Sequence, residues 1–195
     1  HLPRLVSVSL VMLESGKLTI KQLTDEDEAA LLRSLFALLD SESCRIYWDQ
    51  AQTLGLIQLR ALSWGIVLPA DWPLQHGTSR RPLQCGWFDL KQMLATVGNG
   101  NTLAELAAML SLPSAMGQTV NLCREIESIE LAAQLQQGAL VNALHITLIY
   151  LRLAMIQGVL LRDEYQSLLT DIGAQLCQSN NPILTRYADS GIGNE

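Results

Sequence analysis

Positive charge is scarce in this chain: Lys and Arg number 13 against 19 Asp and Glu, for a formal charge of -6. Proteins that hold duplex nucleic acid chiefly by neutralising phosphates concentrate Lys and Arg on one face, and no stretch here supplies such a stripe. Cysteine is as thin. Cys44, Cys85, Cys123 and Cys177 are widely separated and form no CxxC pair, which argues against a zinc site and against a disulfide framework. No signal-peptide pattern opens the sequence, so reduced, buried thiols in a cytoplasmic protein are expected. Histidine is limited to His1, His76 and His145; the first is terminal, the second sits in a loop-like stretch, and His145 lies inside a long apolar segment, where a core role is the simplest. The sequence has no GxxxxGKS/T phosphate loop, no HExxH and no GxSxG, so those three chemistries fall away.

What is present is apolar. Hydrophobic residues make up 49% of the 195 and charged ones only 16%, the composition of a buried, folded chain of one domain. That domain is expected to span residues 1–178, with 179–195 a polar C-terminal tail. Ala139 to Leu161 is apolar over a length that would cross a bilayer, but Asn142, His145, Arg152 and Gln157 interrupt it. A central Arg is expensive in lipid, so a buried core helix is expected and no membrane.

Strand signals run from Leu5 to Leu13 and from Lys17 to Gln22, with Glu14-Ser15-Gly16 as the hairpin turn between them. Thr24 reads as a helix cap, the acidic run Asp25, Glu26, Asp27 and Glu28 as a first turn, and Ala29, Leu32, Leu35, Phe36 and Leu39 as the apolar face. Arg45 to Trp48 is a short β-like run. Leu54, Ile57, Leu62 and Ile66 then predict a helix ending near Gly65. Pro69 to Gly86 reads as a long surface loop, and its Arg80 and Arg81 are the weak candidates for contact with nucleic acid. Helical patterns follow over Asp89 to Val97, Thr102 to Leu110 with a capping box at Thr102 and Glu105, Asn121 to Gln137, Ala139 to Leu161, and Asp163 to Leu176. Glu125, Glu127 and Glu130 form a solvated helical face, and the residues from Asn180 onward a frayed tail. Strands first and helices later make an α/β domain with a helical C-terminal half.

The run TLAELAAMLSLPSAMG from Thr102 to Gly117 and the run LIYLRL from Leu148 to Leu153 carry a resemblance. They resemble the predicted exonucleases related to the proofreading domain of family B DNA polymerases, members of the DEDD exonuclease superfamily. The similarity is ungapped from about Leu103 to Tyr165 and extends more weakly through Arg60-Ala61-Leu62 to the opening strands. It implies a ribonuclease H-like mixed sheet and a two-metal 3'-5' exonuclease, whose carboxylates hold two Mg2+ or Mn2+ ions roughly 3.5–4 Å apart.

The motif positions that the resemblance implies lack those carboxylates. The third motif, a Tyr followed four residues later by an Asp, falls on Gly138 and Asn142. The second places its Asp on Thr53 or Leu54, with Asp49 near the motif's Asn as a solvated turn residue. Trp87-Phe88-Asp89-Leu90 stands where the family has His-x-Asp-Leu, so Asp89 is a remnant or a helix cap. The first motif belongs on a central first strand upstream of the hairpin, which is missing from this sequence.

A catalytically degenerate exonuclease-like module is therefore expected, with no metal and no cofactor. Its partner is either single-stranded DNA or another nucleic acid, or a protein held through the open sheet edge or the apolar C-terminal helices. Two alternatives stand beside it. One is an active exonuclease using Mg2+ or Mn2+, with carboxylates from an upstream segment; the other is a purely structural subunit of a larger complex.

Overall fold

The computed structural model describes residues 4–5, 7–14, 17–39, 44–73, 86–94, 102–113, 129–189 and 192. The chain opens with an antiparallel hairpin, β1 (Ser7–Glu14) and β2 (Lys17–Thr24), in the register Glu14 to Lys17 and Val8 to Leu23. Side chains alternate faces along a strand, and both faces of this hairpin are apolar. Val8, Leu10 and Leu23 join one hydrophobic cluster, while Val11, Leu13, Leu18 and Ile20 join another.

Helix α1 (Glu28–Leu39) starts later than Thr24, which is the last residue of β2. The cap is Asp27: its carboxylate accepts the Ala29 N–H at 2.9 Å and its carbonyl accepts that of Leu31 at 3.0 Å. The acidic run is thus a helix start, as its composition predicts, but the hairpin ladder claims Thr24. Strand β3 (Cys44–Tyr47) follows, then α2 (Gln50–Ser63). Gly65, at φ 63°, ends α2: Ile66 N–H reaches the Ala61 carbonyl at 2.9 Å and Gly65 N–H that of Leu62 at 3.1 Å. This doubly bonded stop favours a residue without Cβ. In the apolar stripe Ala61 takes the place expected of Leu62, which is 75% exposed.

Two corrections concern the expected loop Pro69 to Gly86. Trp72 within it is buried, with its ring 5.5 Å from Phe36 and 5.1 Å from Trp87. Gly86 itself begins β4 (Gly86–Asp89), which pairs parallel with β3 in the register Arg45 to Trp87 and Tyr47 to Asp89. A four-residue strand has no room to show period-two alternation, and the helix signal at Asp89 masked it. Arg80 and Arg81 lie outside the described residues, as do Ser15, Gly16, and 121–128. Among the described residues the strands form two two-stranded sheets rather than one mixed sheet.

The helical half contains α3 (Leu90–Leu94), α4 (Leu103–Met109), α5 (Ile129–Ile156), α6 (Arg162–Cys177) and α7 (Pro182–Asp189). Thr102 and Glu105 form the expected capping box on α4, with Thr102 Oγ1 accepting the Glu105 N–H at 3.2 Å and Glu105 Oε2 accepting that of Thr102 at 2.7 Å. Helix α5 runs unbroken for 28 residues through Gly138, where two segments were expected. Its stretch Ala133–Ile156 is long and apolar enough by composition to cross a membrane. Here Leu140, Val141, Leu144, Leu148 and Leu151 pack against α6, α7 and the hairpin, and Ile149 and Tyr150 against α3 and α4. It is a core helix.

Residues 182–189 are helical rather than a frayed tail. Asn181 Oδ1 accepts the Ile183 N–H at 3.0 Å, Pro182 takes the first helical position, and Leu184 and Tyr187 are buried on α5 and α6. Proline suits that position because its missing N–H would have no partner there. Polar composition hid a short amphipathic helix.

One buried carboxylate ties the N-terminal half together. Glu28, 2% exposed, accepts the Leu5 N–H at 2.6 Å, Arg60 Nε at 2.7 Å and Trp64 Nε1 at 3.0 Å, and Arg60 also bonds it through a second guanidinium nitrogen. Burial pushes its pKa up, but the bonds from Arg60, Trp64 and Leu5 and the charge of Arg60 outweigh that and hold it below the usual carboxylate value. A depressed folded-state pKa gives stability that is full above the unfolded pKa and lost as the pH falls through the folded one. Glu28→Gln is therefore expected to cost about 2–4 kcal/mol at pH 7. In urea titrations from pH 7 down to pH 3, the gap between wild type and variant should narrow.

Candidate functional site

Parallel strands direct their carboxyl ends toward a crevice that commonly receives ligands. In this chain that place is the end of the β3–β4 pair, where Tyr47, Trp48 and Asp49 meet Asp89, Leu90 and Lys91. Asp49 turns the chain from β3 into α2 at φ 60°, a left-handed conformation that Asp tolerates better than most side chains. Its carbonyl accepts the Thr53 N–H at 2.9 Å, and its carboxylate accepts Lys91 Nζ at 2.6 Å. Asp49 is 14% exposed at its side chain, so it is an ion-paired joint rather than the solvated turn residue expected. The Lys91 ammonium lies where a cation is needed to offset this carboxylate.

Asp89 closes β4 and is 6% exposed. Its Oδ1 accepts the Gln92 N–H at 3.1 Å, which caps α3. Tyr47 stands opposite it in the strand register. Burial, and then the charge of Asp89, push the Tyr47 hydroxyl up to about 12. It stays protonated at neutral pH. Phe88, beside Asp89, places its ring 6.2 Å from that of Tyr150, which anchors α5 to this strand end.

The positions singled out in the sequence do not converge on a metal. Thr53 donates its hydroxyl to the Trp48 carbonyl at 2.6 Å, and Leu54 is buried in the core beside Ile57 and Ala61. Gly138 and Asn142 both lie on α5, and Asn142 is exposed while Val141 and Leu144 are buried. At 1.5 Å per residue, Asn142 is about 12 Å and Gly138 about 18 Å along the helix axis from Tyr150. Trp87 belongs to the aromatic cluster, with Arg45 5.0 Å above its ring.

Two-metal chemistry needs several carboxylates around two ions. Among the described residues, no group of three or more His, Cys, Asp or Glu side chains is gathered to hold a metal ion. A neutral Asn142, a hydroxyl at Thr53 already committed to a carbonyl, and a packed Leu54 do not fit Mg2+ or Mn2+. Glu125 and Glu127 lie outside the described residues.

His145 behaves as a core residue, as its setting predicts. It is 3% exposed, its Nε2 donates to the Pro113 carbonyl at 2.9 Å, and its ring lies 5.6 Å from Tyr187. Burial lowers its pKa, against the pull of the Pro113 bond, and keeps it neutral. Sequence reasoning missed Lys91 and Tyr47. Their roles depend on the β3–β4 register, and with β4 unrecognised no sequence signal pointed to them.

Among the described residues, and apart from the helix's own backbone, nothing lies within 4 Å of the place where a Cβ on Gly138 would stand. A glycine inside a helix costs roughly 0.5–1 kcal/mol relative to alanine, so Gly138→Ala is expected to stabilise the fold by about that amount. A thermal or urea denaturation curve measures it; a loss of stability would mean that something presses on this glycine.

The profile of a family described as a predicted 3'-5' exonuclease related to the exonuclease domain of PolB matches residues 1–190. No curated protein and no solved structure matches the chain.

Proposed function

We propose that this chain, which belongs to the family of predicted 3'-5' exonucleases related to the exonuclease domain of PolB, is a catalytically degenerate member that works as a cytoplasmic binding or assembly module. The observation that carries the reading is the fate of the motif positions. By the resemblance, Thr53 or Leu54, Gly138 and Asn142 fall at the places of metal-binding and water-orienting residues, and none of them supplies a negative charge. The two carboxylates at the strand ends serve the fold: Asp49 is paired with Lys91 and Asp89 caps α3.

A protein is the favoured partner. The chain is acidic, and Leu62, Trp64 and Val67 are respectively 75%, 49% and 86% exposed in one short segment at the end of α2. Contiguous exposed apolar side chains of this kind suit a protein contact better than a phosphate backbone. The finer fold reading belongs to the same proposal. Among the described residues, two two-stranded sheets resting on α5 support a ribonuclease H-like arrangement.

A 3'-overhang DNA incubated with the purified chain and Mn2+ is expected to release no nucleotides, and filter binding at low salt to retain no single strand at micromolar protein. Nucleotide release from the 3' end that disappears with Asp89→Asn or Asp49→Asn would overturn the proposal and establish an active exonuclease.

A further inference from the structure

The outer edge of β2 opens into a cleft separate from the strand-end site. One hydrogen bond fixes the parity of that edge: Leu18 donates its backbone N–H, away from β1, to Gln175 Oε1 on α6 at 2.8 Å. Leu18 faces Leu13 in the hairpin, so with its N–H turned outward theirs is a non-hydrogen-bonded pair that exchanges no ladder bonds. Main-chain polar groups alternate sides along an antiparallel strand. Those of Ile20 and Gln22 therefore point outward too, and among the described residues only β1 pairs with β2.

The cleft against this edge has a volume of about 630 Å3 and is walled by Gln22, Gln136, Gln137, Asn180 and Asn181. It continues over an apolar floor that includes Leu18, Ile20, Leu140 and Leu176. Among the described residues, no Lys, Arg, Asp or Glu lines it. Gln22 Nε2 donates to the Gln136 carbonyl at 2.8 Å, and Asn181 Oδ1 accepts the Ile183 N–H at 3.0 Å. These bonds fix two carboxamides and, among the described residues, leave Gln22 Oε1 and Asn181 Nδ2 for a ligand.

We propose that this cleft binds a short, extended, uncharged peptide segment, which adds a strand beside β2 and meets the flanking carboxamides with its own amides or hydroxyls. An exposed strand edge supplies main-chain hydrogen bonds to any extended peptide, and the surrounding side chains then select among sequences. A carboxamide offers both donor and acceptor, which matches another amide. A charged occupant would be desolvated against neutral walls with no counter-ion, and a nucleic acid strand would bring phosphates to a surface without a cation. The inference does not depend on whether the strand-end carboxylates are catalytic.

The test is an NMR titration of the isotope-labelled full chain with a blocked, uncharged peptide alternating Val and Gln, run beside a titration with oligothymidylate. Saturable shifts are expected at the Ile20 and Gln22 amides and at the side chains of Gln22, Gln136 and Asn181. Asn181→Asp keeps the cap on α7, since Asp and Asn cap equally well, and is expected to weaken binding about tenfold or more. Shifts elsewhere or none at all, equal binding by the variant, or the same shifts with oligothymidylate would overturn the proposal.

Discussion

Neither pair of strands in this protein is large enough to stand unaided, because two-stranded sheets need a helix or further strands to be stable in water. Helix α5 meets that constraint for both. One side of it buries Leu140, Leu144 and Leu148 with the hairpin residues Val11, Leu13, Leu18 and Ile20 and with α6 and α7. Another buries Ile149 and Tyr150 against Leu90, Leu103 and Leu106, close to Ile46 and Trp48 of the parallel pair. A helix enclosed on so many sides must be apolar around most of its circumference. That accounts for a composition that would also suit a bilayer.

The scarcity of positive charge takes on a structural meaning beside this. Ion pairs among the described residues include Arg60 with Glu28, Arg45 with Asp71, and Lys91 with Asp49. Each joins two segments: α1 to α2, β3 to the stretch after α2, and the end of β3 to the start of α3. Arg45 also lies over Trp87, so its charge supports the aromatic cluster. At the strand ends, Lys91 pairs with Asp49 and the Gln92 amide of α3 bonds Asp89.

Much of the framework was legible in the sequence. Alternating apolar residues marked the hairpin, Gly65 marked the end of α2, and the Thr102–Glu105 spacing marked the cap of α4, because each rests on local chemistry alone. The losses have equally local causes. The cap moved from Thr24 to Asp27 because the hairpin ladder extends further than turn signals suggest. β4 was too short to show a period, α7 was hidden by its polar residues, and Trp72 looked exposed because prolines flank it. The positions Thr53, Leu54, Gly138 and Asn142 were singled out by the resemblance alone. The Asp49–Lys91 pair could not be named that way, since it exists only once β3 and β4 lie side by side.

Calorimetric titration of the purified chain with Mn2+ tests the central claim most directly. If protein groups already satisfy the strand-end carboxylates, no heat of binding is released, and Lys91→Met does not create a pair of sites. Binding of two ions per chain, lost in Asp49→Asn and Asp89→Asn, would contradict the account.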